Sequence, residues 1–151
     1  TPPIWNSATT AVDPAVLMVN NGFVGQAANP LAGRELLVLK ASFEEALRKA
    51  GFQDPATASV KRLAVAIWAA GCKAQSPLCK QGIDALQTFY VGKIRLDGTG
   101  TAKVSGLPKG SFWVLGLGVA NGQHFVWDLP VEIKPGANSI AFDPRNAKLI
   151  Y

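Results

Sequence analysis

Histidine is nearly missing from this chain, with one residue, His124, among 151. Zinc centres draw on several His and Cys side chains, so one imidazole and two cysteines argue against a metal site. No G-x-S-x-G elbow accompanies His124, and no glycine-rich cradle for phosphate is present. The closest carboxylate pair, Glu44 and Glu45, occupies adjacent helical positions, which do not face one another. No catalytic residue, metal or cofactor is therefore expected. Also absent is any apolar run near the roughly 18 residues that cross a bilayer. Thr1-Pro2-Pro3 lacks the basic start and apolar stretch of a signal peptide. The expectation is a cytosolic chain, or one whose signal has been removed.

Charge is sparse, at 17% Asp, Glu, Lys and Arg, and it leans basic, with a net +5 and a pI near 9.4. That balance prompts a test for nucleic acid or an anionic membrane surface. The cations are scattered, however. Only Arg48-Lys49 and Lys61-Arg62 are adjacent, and both accompany Glu44, Glu45 and Asp54. Nucleic-acid binding needs a clustered, phosphate-tracking surface and is not expected. The cysteines, Cys72 and Cys79, are too widely spaced for a thioredoxin-type C-x-x-C. A disulfide across the Pro-containing turn between them is the preferred reading; two buried thiols acting as small hydrophobes are the alternative. A disulfide would favour an oxidising compartment, hence an extracytoplasmic protein with its signal peptide removed.

What the sequence does contain is a change of period. Residues 1–14 read as an extended lead-in around Trp5. Ala15 to Val19 suits a strand ended by Asn20-Asn21-Gly22. Arg34 to Lys40 reads as a strand buried on both faces, because its core is unbroken. Ser42-Phe43-Glu44-Glu45 is a capping box, and the helix it opens should stop at Gly51. Asp54-Pro55 reads as the start of a second helix, whose apolar stripe is Val60, Leu63, Ala64, Ile67 and Trp68, ended by Gly71. Ser76-Pro77 opens a third helix running to about Thr88. This three-helix insert, residues 41–89, interrupts a β-rich chain.

From Tyr90 the alternation of strands returns. Asp97-Gly98-Thr99-Gly100 reads as a hairpin turn, and Gly106 to Gly110 as a corner. Phe112 to Val119 is apolar on both sides, which requires cover on both faces. One cover would be an opposing sheet and the other the helical insert. Gly116 and Gly118 within it signal the close approach of another element. Asn121-Gly122 marks a hairpin. Phe125, Trp127, Leu129, Val131 and Ile133 alternate with a more polar set that includes Asp128. Pro130 places that strand near an edge or at a bulge. Ser139 to Phe142 is the last expected strand.

Leu96 to Phe112 carries strand, Asp/Gly turn and strand, then Gly106-Leu107-Pro108-Lys109-Gly110-Ser111-Phe112. Pro30-Leu31-Ala32-Gly33 precedes an apolar strand, and Val131 to Asn138 gives a strand, a Gly turn and another strand. In these motifs the chain resembles carboxypeptidase regulatory-like, transthyretin-like (prealbumin-type) domains. The helical insert departs from that pattern. The expected fold is mainly β (α+β by content). It is a single domain over residues 1–151, a Greek-key β-sandwich of about seven strands with a three-helix insert packed on one sheet. The resemblance implies a non-catalytic accessory or adhesive module outside the cytoplasm, binding a protein or glycan partner. Trp5, His124 and Asp128 are the candidate contacts. The alternatives are an unfamiliar hydrolase using His124, or a basic surface for an anionic polymer or membrane.

Overall fold

The computed structural model describes residues 15–23, 29–120 and 122–150. Its centre is built from the segments whose residues are apolar on both faces. Strand β2 (Glu35–Leu39) pairs antiparallel with β5 (Gly110–Ala120), which pairs along its full length with β6 (Gln123–Ile133). Strand β3 (Tyr90–Arg95) flanks β2, and the two-residue β8 (Lys148–Leu149) flanks the start of β6, giving the order β3-β2-β5-β6-β8. A second sheet sets β1 (Ala15–Asn21) between β4 (Ala102–Leu107), antiparallel, and β7 (Gly136–Phe142), parallel. The fold is mainly β, two sheets with a helical insert. β8 goes beyond the seven expected strands, because two exposed residues make no periodic signal.

Alternation sorts each strand of the larger sheet into two cores. Leu36, Val38, Val114 and Trp127 face the smaller sheet, where Leu17, Val19, Ile140 and Phe142 meet them. Leu39, Leu115 and Val126, on the opposite face, meet Phe43, Leu47, Ala64 and Val65 of the helices. Trp113 and Leu117 pack into this second core, as the two-sided reading of β5 requires. The glycines of β5 also have the expected cause. A Cβ on Gly118 would lie 2.8 Å from the Pro30 Cβ and 3.0 Å from its carbonyl oxygen.

The helices are α1 (Phe43–Lys49), α2 (Ala64–Lys73) and α3 (Pro77–Gln87). Ser42 caps α1 by accepting from the Glu45 amide at 2.9 Å, and Gly51 follows its C-cap with a φ of 100°. Ser76 caps α3, with Pro77 in its first turn. Helix α2 differs from expectation. Asp54 does not cap it; its carboxylate receives the Arg62 backbone N–H at 2.8 Å and the guanidinium at 2.8 and 3.1 Å, closing a loop. Val60 lies in that loop, 79% exposed, rather than on the apolar stripe. The helix also runs past Gly71 to Lys73.

Asp97 to Gly100 is a turn but not a hairpin, since β3 and β4 belong to different sheets. The Asp97 carboxylate accepts from the amides of Thr99 and Thr101 at 2.9 and 3.0 Å. The buried Asn21 side chain then donates to the Thr99 carbonyl at 2.8 Å, tying the turn to the end of β1. This tertiary stitching carries the chain from one sheet to the other.

Candidate functional site

Helix α2 covers only part of the larger sheet. Beyond it, the turn end of the β5–β6 hairpin is left as one wall of a groove of about 250 Å3. In register, Leu117 opposes Val126 and Val119 opposes His124, so these side chains share the face turned to the helices. The facing wall is Trp68, Ala69 and Cys72 of α2, and Ile150 closes one end. Arg34 and His124 are the polar side chains of an otherwise apolar lining.

The helical wall is fixed by several ties. Cys72 and Cys79 form a disulfide, joining the end of α2 to the first turns of α3. The Trp68 indole N–H donates to the Cys79 carbonyl at 2.9 Å, and its ring stands edge-on to Phe43 with centroids 5.1 Å apart. On the strand side, the Ile150 amide donates to the His124 carbonyl at 2.7 Å. The groove is therefore preorganised by covalent and hydrogen-bonded neighbours.

Asp128 belongs to different machinery. It does not face a polar outer edge of β6, as alternation suggested; it points at the helices. Its two oxygens accept from the amides of Phe43 and Glu44 at 3.1 and 3.0 Å, at the start of α1. Burial pushes this carboxyl above its ordinary range, against the pull of those two amides. Glu44 repeats the device one helix further on. Its carboxylate accepts from the Ala64 and Val65 amides at 2.8 and 3.0 Å, supplying the cap that Leu63 cannot. The Asp54 carboxyl is held at about 2, first by its side-chain bond from Arg62.

Of the three contacts expected from sequence, the groove includes His124, and Asp128 supports the insert. Trp5 lies outside the described residues. Among the described residues, no group of three His, Cys, Asp or Glu side chains is placed to hold a metal ion. No helix among them is long and apolar enough to cross a membrane. Sequence reading missed Arg34, Trp68 and Val119 as groove residues. The available signal was the apolar alternation of Trp113, Leu115 and Leu117, which continues to Val119; the fold leaves Val119 41% exposed.

No protein-family model matches the sequence, and no curated protein does. Among solved structures, the chain is similar to GBS52, the minor pilin of Streptococcus agalactiae. Identity is 14% over 87% of this chain and 44% of that one, with a TM-score of 0.42. It is also similar to a Pseudomonas aeruginosa protein provisionally described as carbohydrate-binding, at 11% identity over 91% and 93% of the two chains and a TM-score of 0.42. The pilus backbone protein RrgB of Streptococcus pneumoniae gives 14% identity over 80% and 34% of the chains, with a TM-score of 0.34. The chain thus spans less than half of either pilus protein, and likenesses this distant carry no argument about its role.

Proposed function

We propose that the chain is a non-catalytic, extracytoplasmic sandwich module of the prealbumin type that binds a protein partner through the groove between α2 and the β5–β6 hairpin. The observation that carries this reading is the groove itself, apolar along its walls, polar among the described residues only at Arg34 and His124, and open at Val119. At about 250 Å3 it falls below the range of roughly 300–1,000 Å3 typical of small-molecule pockets. It matches instead one or two anchoring side chains from a partner surface. The disulfide supports an oxidising location. The split of β1 and β4 from β2 and β3 across two sheets supports the Greek-key resemblance.

The test places a photo-reactive residue at Val119 and, as control, at Ser139 on β7, in the cells that make the protein. A discrete protein adduct is expected at position 119, absent at 139 and lost when Arg34→Glu is added. Equal labelling at both positions would overturn the reading. So would binding confined to glycans on an array.

A further inference from the structure

A second recognition surface, independent of the groove, lies where the sandwich opens between β3 and β4. These strands lie at the same side of the two sheets, and among the described residues each pairs with one neighbour only, β3 with β2 and β4 with β1. Between them runs a cleft of about 680 Å3. Its floor is apolar, with Ile94 buried and Ala102 and Val104 half-covered. Arg95 and Lys103 stand exposed along its walls, together with Lys93, which is paired with Glu35 at 3.1 Å. One anion lines it as well: Asp97, which the amides and hydroxyls of Thr99 and Thr101 hold ionised, with its carboxyl well below the usual range, so that Arg95 and Lys103 leave the cleft with a smaller net positive charge.

Strand β4, Ala102–Leu107, contains no proline, so the alternate residues that direct their backbone to the edge left unpaired by the described residues keep both a donor and an acceptor, up to the irregularity at Gly106. Such an edge invites another strand, and lysines there restrict which strand can come. A second copy of this chain would bring its own cations and a net charge of +5 against them. An acidic strand meets the opposite condition. We infer that the β4 edge is a docking site for an extended peptide of a partner protein in which acidic and small apolar residues alternate. The backbone would extend the three-stranded sheet. Apolar side chains would lie over Ile94 and Val104, and acidic ones would meet Lys103 on the outer face of the same sheet, with Arg95 adding to the positive potential along the cleft.

The probe is a fluorescent hexapeptide, acetylated and amidated, with alternating Glu and Val. It is compared with a Lys/Val peptide and with a Glu/Val peptide N-methylated on the residues whose amides would pair. The full chain should bind the acidic peptide and neither of the others, with exchange protection appearing at the amides of β4. Arg95→Glu combined with Lys103→Glu, both exposed positions, should weaken binding by on the order of tenfold or more. Circular dichroism checks that this variant keeps the fold. Three results would each overturn the proposal: no binding of the acidic peptide, equal binding of the N-methylated copy, or protection at β7 instead of β4. Self-association of the chain that the double reversal abolishes would assign the edge to a second copy and overturn it as well.

Discussion

Gly82 lies in the middle of α3, where glycine is a poor helix former, and the indole of Trp68 occupies the space its Cβ would fill. Two effects oppose one another in Gly82→Ala. Alanine gains about 1 kcal/mol of helix propensity, while overpacking a fitted contact costs about 1–3 kcal/mol. The second should win, because Trp68 cannot swing away without giving up its bond to the Cys79 carbonyl and its edge contact with Phe43. Urea titration of Gly82→Ala should show a lower midpoint than the parent; an unchanged or higher one contradicts the packing described. Residues whose role is settled within a few positions were legible in the sequence, as Ser42, Gly51 and Ser76-Pro77 show. Asp54 was not, because a partner eight residues on, Arg62, takes the carboxylate that would have capped a helix.

The helices are attached to the sandwich by a succession of elements, each anchoring the next. Asp128 on β6 holds the start of α1, Glu44 on α1 holds the start of α2, and the Cys72–Cys79 disulfide ties α2 to α3. Removing the first anchor should loosen the whole layer. Asp128→Ala leaves two inward amides without their acceptors, which should destabilise the protein by about 1–3 kcal/mol. Hydrogen exchange should then quicken in α1 and α2 before it does in β1, β4 and β7. Uniform acceleration across all these elements would mean Asp128 supports the sandwich rather than the insert. The layer itself was readable from β5, whose two apolar faces demanded two covers. The crossover at Asp97 was not readable, because an Asp-Gly turn looks the same whether its strands pair or part. What parts them is Asn21 reaching the Thr99 carbonyl from β1.

The groove depends on the relation between the two cores, since one wall belongs to the helices and the other to the central hairpin. Both cores are built on β2, β5 and β6, with adjacent residues of the same strand serving opposite sides. Loss of either cover therefore exposes apolar side chains of strands that the other cover needs. That coupling predicts one cooperative transition for sandwich and insert together. Trp127, fully buried between the sheets, and Trp68, in the helical layer, report the two parts separately. Fluorotryptophan incorporated biosynthetically gives each of the four indoles its own resonance, assigned by Trp→Phe replacement. The native signals of Trp68 and Trp127 should vanish at the same urea concentration, within the width of the transition. If Trp68 is lost first, the insert is a separate, weaker unit, and a partner seated in the groove would stabilise the helices without stabilising the sandwich. If both vanish together, occupying the groove must raise the stability of the whole chain, by an amount set by the partner's concentration relative to its dissociation constant.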